Sequence, residues 1–253
     1  MPTIKENLKQ WSSYDWSEGG DEWSKPWGDS DTMWYGTIYP RIRAVAESNH
    51  ILEIAPGYGR CTKHLLKMCK KLTVVDLAEK CIDACKKRFS SCNHIRYFVN
   101  DGKSLKFLDD NSIDFVFSWD SLVHANDEVF VTYLTQLAKK MKPGGYGFIH
   151  HSNMGSYRDE ASGFMTAASH HWRDTTMSAK LFRETCAKVG LHCVSQEIIQ
   201  WEPGILSDTF SLFTRLIEPR NVETKIFENH QFMNEVENLR RIRENSDPAV
   251  SRR

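Results

Sequence analysis

The chain has 253 residues, with 33 Lys plus Arg against 33 Asp plus Glu, 40% hydrophobic residues and 26% charged ones. That balance leaves no net field to draw nucleic acid or an anionic bilayer, and the apolar fraction is that of a folded protein rather than a disordered one. No apolar run approaches the roughly 18 residues needed to span a membrane, and seven cysteines without a Cys-x-x-Cys pair speak against a disulfide framework or a structural zinc site.

Three stretches are expected: an aromatic-rich arm or lid over 1–44, a core domain over 45–218, and a charged, helical tail over 219–253. The first sixteen residues carry no apolar h-region of a secretory signal, so a cytoplasmic protein is expected. Five of the eight tryptophans fall in the arm, among Ser, Gly and Asp, with no sustained helical or strand period. They can pack on the core or cover a ligand, and Trp27 is taken as a candidate substrate contact.

From residue 50 the pattern is regular. His50–Ala55 is a short apolar run ending in Pro-Gly and reads as a buried strand. A helix is expected over Arg60–Lys71, a second strand over Leu72–Val75, and a helix over Glu79–Phe89 whose Cys81 and Cys85 read as packing residues. Strands follow at Ile95–Val99 and Ile113–Ser118, then a helix over Glu128–Met141 stopped by Lys142-Pro-Gly-Gly145, then a strand over Gly145–His150. Ser178 caps a helix to Val189, and Leu191–Ile199 and Thr209–Arg215 read as two strands with no helix between them, hence an antiparallel edge pair. Alternating strands and helices give an α/β fold, doubly wound and Rossmann-like, around a mostly parallel sheet.

The first strand runs into Glu53-Ile-Ala55-Pro-Gly57-Tyr-Gly59. Glycines at a strand-to-helix turn let a ligand approach the backbone. Asp76, 23 residues after Glu53, ends the next strand where a carboxylate can accept two ribose hydroxyls. Thr62 replaces the third glycine of a dinucleotide fingerprint, and no Gly-Lys-Ser/Thr is present, so the turn suits a nucleoside better than a pyrophosphate.

In these residues the chain resembles the class I S-adenosylmethionine-dependent methyltransferases. Glu53, Ala55, Gly57 and Gly59 match the family's first motif, with Ala55 in place of its first glycine. Asp76, followed by Leu77, matches the ribose acid; Asp101 with Gly102 matches the adenine-side motif; Asp114–Asp120, containing Ser118, matches the fourth-strand motif. The resemblance covers roughly residues 45–215. It implies S-adenosylmethionine as cofactor and a seven-stranded sheet of order 3-2-1-4-5-7-6 with strand 7 antiparallel. A narrower likeness, in residues 118–124, 150–153, 171–173 and 195–197 and in the Trp motifs of the arm, is to sugar O-methyltransferases. It implies a sugar or glycan acceptor.

A sugar hydroxyl needs a base near neutrality, and histidine is the natural one. Asp120 and His124 follow the fourth strand, and His150 and His151 end the fifth. Adjacent strand residues face opposite ways, so only one of the last two should face the pocket. His151 is preferred as the base, with His124 its closest rival. Asp120 can orient the base, or hold Mg²⁺ or Mn²⁺ together with Asp208; metal against no metal is left open. His171, Trp172 and Arg173, in the loop after strand five, are candidate acceptor contacts. No nucleic-acid partner is expected, and a homo-oligomer is left open. The competing readings are a methyltransferase of another small molecule and a cofactor-fold binding protein without catalysis.

Overall fold

The computed structural model describes residues 3–169, 171–218 and 222–246. Its strands are β1 (Ser48–Ile54), β2 (Cys69–Asp76), β3 (Ile95–Val99), β4 (Ile113–Ser118), β5 (Met141–Ser152), β6 (His192–Ile199), β7 (Asp208–Thr214) and β8 (Lys225–Asn229). They form one sheet in the order β3-β2-β1-β4-β5-β7-β6-β8. The first five pair in parallel, β7 runs antiparallel to both β5 and β6, and β8 lies parallel to β6. This is the expected order with one strand added at the edge.

The helices are α1 (Ile4–Ser13), α2 (Ser30–Met33), α3 (Tyr39–Ile42), α4 (Thr62–Leu65), α5 (Glu79–Arg88), α6 (Asp127–Lys140), α7 (Ala179–Val189) and α8 (Phe232–Ser246). Local chemistry sets their limits. Asn126 caps α6 by accepting from the Val129 amide at 3.1 Å, and Val129, Phe130, Tyr133, Leu134 and Leu137 repeat at spacings of three and four on its buried face. Ser178 caps α7 through Leu181 at 3.1 Å, and Gly190 ends it at φ +84°. One face of the sheet packs against α6 and α7 through Phe130, Leu134 and Phe182. The other packs against the arm and α8 through Trp27, Trp34, Phe210 and Phe232.

Three sequence expectations change. The helix expected over Arg60–Lys71 shrinks to α4, because β2 begins at Cys69 and takes the residues that would have continued it. The arm is not aperiodic: Thr3 and Glu6 form a reciprocal capping box that starts α1. The tail is not a solvated helix; it contributes β8, and Phe232 and Val236 of α8 are buried in the second core.

Phe232→Ala should therefore cost about 3–5 kcal/mol of unfolding free energy, read from urea denaturation, because it opens a core cavity. A loss below about 0.5 kcal/mol, usual for a surface position, would return α8 to a solvated tail.

Candidate active site

A cavity of about 520 Å³ lies beyond the carboxyl ends of β1, β2 and β4, closed from above by the arm. One end is built by the first two strands. Glu53, next to last in β1, has its carboxyl buried and accepts from the Thr62 hydroxyl at 2.6 Å. Burial pushes its pKa up to about 8. Asp76 ends β2; its carboxylate accepts from the Ala78 amide at 2.8 Å and from Gly57 at 3.4 Å, and burial pushes it up to about 6. The turn between them places Ala55 at φ +57° and Gly57 at φ +56°. A left-handed alanine costs roughly 1–2 kcal/mol, which accounts for a glycine in the family motif at that position. Leu77 and Gly102 also line this end.

Not all expected cofactor contacts do. Gly59 faces away, and a Cβ there would sit 2.6 Å from Phe89, so this glycine serves helix packing. Asp101 lies on the surface, accepting from Lys103 and Ser104 amides, and the buried Ser118 hydroxyl is outside the cavity lining.

The other end overturns the expected base. His151 is fully buried on the α6–α7 face, stacked on Phe182 at 4.7 Å. Its Nδ1–H donates to the Ser152 carbonyl and its Nε2 accepts from Ser211, each at 2.8 Å. Burial pushes its pKa down to about 3. Because β5 runs through to Ser152, strict alternation sends His151 away from the cavity. His150 faces the other side, among Trp119, Trp201 and Phe210. The Asp120 amide donates to His150 Nδ1 at 3.2 Å, so Nε2 carries the hydrogen and donates to Asp208 at 2.9 Å. Both nitrogens are spent, and His150 holds structure rather than moving protons.

His124 lines the cavity, as does the exposed His171. The His124 Nδ1–H donates to the Trp172 carbonyl at 2.8 Å, which leaves Nε2 as a lone-pair acceptor with no partner among the described residues. Burial, then the charge of Arg173, pushes its pKa down to about 4.

The expected metal pair is also displaced. Asp208 is fully buried and is taken by Arg173, with Nε at 3.1 Å from both oxygens and Nη2 at 2.8 Å from Oδ2. Burial alone would raise its pKa; the guanidinium and the His150 N–H hold it well below the usual carboxylate range. Asp120 sits between Arg60 at 3.2 Å and Arg173 at 3.7 Å, and orients neither His124 nor His151. Two guanidiniums already neutralise the two carboxylates. No group of three or more His, Cys, Asp or Glu side chains suited to a metal occurs among the described residues.

Trp27 is core, not substrate lining: it is fully buried and donates to Thr37 at 2.7 Å. His171, Trp172 and Arg173 do line the cavity, although Arg173 is committed to Asp208; His170 lies outside the described residues. The residues that sequence reasoning missed are Arg60, Trp119, Trp201 and the inner face of α1. Asn7 donates to the His124 carbonyl at 2.9 Å, Trp11 lies 5.3 Å from the His124 ring, and Trp16 stacks on Tyr58 at 4.6 Å. The Thr3-x-x-Glu6 capping box was the readable signal for α1; nothing marked Trp201.

Comparison with known proteins points to methyltransferases. Residues 51–145 match the family model described as a methyltransferase domain. The likeness to a methyltransferase domain thus rests on β1 to β4 and the start of β5. Two curated proteins named phosphoethanolamine N-methyltransferase 1 are similar. That of Triticum aestivum is 28% identical over 154 residues, 57% of this chain and 30% of its own length. That of Zea mays is 30% identical over 142 residues, 54% and 27% respectively. The chain thus spans under a third of the curated relatives it matches. Among solved structures, a SAM-dependent methyltransferase of Leishmania major superposes with a TM-score of 0.61 at 14% identity, covering 83% of this chain and 82% of that one. The DhpI–SAH complex gives 0.59 at 17% identity, covering 87% and 98%. At those identities they share the fold. Among the described residues no helix is long and apolar enough to cross a membrane.

The cavity residues fit S-adenosylmethionine, the cofactor that the resemblance implies. The Asp76 carboxylate suits ribose hydroxyls, the Gly57 turn admits close approach, and the buried Glu53 carboxyl suits a cationic ligand, which would draw off its proton. Burial pushes the Glu53 carboxyl up to about 8, which favours its neutral form at pH 7, and a cation favours the ionised form. Cofactor affinity should therefore rise with pH through that range. Calorimetry at pH 7 in two buffers of different ionisation enthalpy should show proton release on binding, and Glu53→Gln should abolish that release. Identical heats in both buffers would rule the coupling out.

Proposed function

We propose that the chain transfers a methyl group from S-adenosylmethionine to a hydroxyl of a small polar acceptor such as a sugar, with His124 taking the hydroxyl proton. The observation that carries this reading is the His124 ring, whose Nδ1–H is fixed on a carbonyl while Nε2 is left as an acceptor at the cavity. When bound, the cofactor supplies an activated methyl group on a good leaving sulfur. The protein must align the nucleophile, exclude water and accept one proton.

The low basicity of His124 favours an oxygen nucleophile. A hydroxyl becomes strongly acidic as its oxygen bonds to the methyl carbon, so a base with a pKa of about 4 suffices. An alkylammonium has a pKa near 10, and handing its proton to such a base is uphill by about six powers of ten, roughly 8 kcal/mol. Charge supports the same choice. Arg60 and Arg173 face Asp120 and Asp208, so the cluster offers an incoming anion no net positive charge. Trp11, Trp23 and Trp172 line the cavity beside it, and such rings suit the apolar face of a sugar.

An amine acceptor is the second reading, favoured by the names of the Triticum aestivum and Zea mays relatives. It would need the amine to arrive already neutral. A labelled-methyl screen over sugars, nucleotide sugars, phenols and phosphoethanolamine separates the two. Turnover of phosphoethanolamine alone would establish the amine reading.

For a hydroxyl acceptor at saturating cofactor, kcat should rise with pH only through about 4, where His124 loses its proton, and stay flat from pH 6 to 9. An amine acceptor adds a rise towards its own pKa near 10. His124→Ala should lower kcat by roughly 10²–10⁴ with cofactor affinity nearly unchanged. Near-normal turnover in that variant would remove His124 as the base.

A further inference from the structure

His124 can act as a base only in one of its two neutral tautomers, and a backbone carbonyl selects it. With the hydrogen on Nδ1, donated to Trp172, the lone pair is on Nε2. With the hydrogen on Nε2, the ring presents a donor to the cavity and cannot take a proton. The position of the Trp172 carbonyl therefore decides whether the base exists.

That carbonyl is held in an unfavourable backbone. Trp172 has φ +55°, a region that bulky residues rarely adopt without a surrounding constraint. Its own ring is partly exposed and touches only the rings of Trp11 and His124, at 6.5 and 5.4 Å, among the described residues. The constraint comes from the next two residues. Arg173 is buried, forks onto Asp208 of β7 with contacts of 2.8–3.1 Å, and lies 5.2 Å from the Trp201 ring centre. The Asp174 amide donates to the Val123 carbonyl at 2.9 Å, beside His124 in sequence, and the Asp174 carbonyl accepts from Ser152 at 2.6 Å.

We infer that Arg173 is a positioning residue for methyl transfer: by clamping its loop to Asp208 it holds the Trp172 carbonyl on His124 Nδ1 and so fixes the tautomer that leaves Nε2 free. The inference rests on the reading of His124 as the base. Arg173 touches no proton in the reaction; it acts through Trp172. Its planar fork matters as much as its charge, because a single ammonium cannot make the same paired contacts with one carboxylate.

The test compares wild type with Arg173→Lys, which keeps the charge opposite buried Asp208, and with the double variant Arg173→Met/Asp208→Asn, which removes both charges in case the lysine form fails to fold. The readouts are ¹⁵N imidazole NMR of His124 at pH 7, kcat, and cofactor Kd. In wild type the hydrogen should be on Nδ1. In either variant it should shift towards Nε2, with kcat down at least tenfold and cofactor Kd within twofold. An unmoved tautomer in both folded variants would overturn the inference, whatever happens to kcat. A shifted tautomer with unchanged kcat would support the coupling and instead refute His124 as the base, so the two failures are distinguishable.

Discussion

Asp208 is a fully buried carboxylate, and an unpaired charge in that setting costs several kcal/mol. The acceptor end of the sheet is arranged around neutralising it. Arg173 comes from the loop after β5 and His150 from β5 itself, so one side chain of β7 ties together a loop and a strand. Through His150 the tie reaches the Asp120 amide, and Asp120 is held at φ +53° just after β4. Through Arg173 it reaches Trp172 and the His124 ring. A buried ion pair is weak evidence of net stability, since apolar residues of equal volume often do as well. What it supplies here is register: two non-glycine residues in left-handed backbone, Asp120 and Trp172, each hydrogen-bonded to one histidine.

The strands were legible in the sequence because parallel strands covered on both faces read as short apolar runs, and Glu53, Gly57 and Asp76 fall at or near their ends; their order came from the family resemblance, not from any period. The acid–base residues were harder. Alternation correctly implied that only one of His150 and His151 faces the cavity side, but not which. That parity depends on where β5 ends, and two residues beyond the expected limit settle it. Position 151 then faces Phe130 and Phe182, where an imidazole has to be neutral and doubly hydrogen-bonded. The pairing of Asp208 with Arg173 joins residues 35 apart, and no local period carries such a contact.

The arm and tail show how composition misleads. Interleaved Ser, Gly and Asp hide the ten-residue α1, although its capping box is written in Thr3 and Glu6. Asn7 and Trp11 are four apart on that helix and meet the same histidine, a spacing that puts both on one face. The tail reads as charged because one side of α8 is solvated, yet Arg243 pairs with Asp29 and Phe232 packs beside Trp27. Arm and tail therefore cover one sheet face together, and the cavity roof rests partly on residues two hundred positions away.

Enclosure by the arm also bears on the role proposed for His124. Burial is the largest cause of the low pKa of His124, and the arm contributes to that burial through Trp11 and through Asn7 on the His124 carbonyl. A wetter site would restore a histidine pKa near 6.5, at which much of the imidazole is protonated just below neutrality. It would also admit water, a competing nucleophile for an activated methyl group. In the proposed reaction, burial shields the methyl donor from water and keeps the His124 base unprotonated at once. Its cost is weak basicity, which the proposed hydroxyl nucleophile would tolerate because its proton leaves only as the new bond forms.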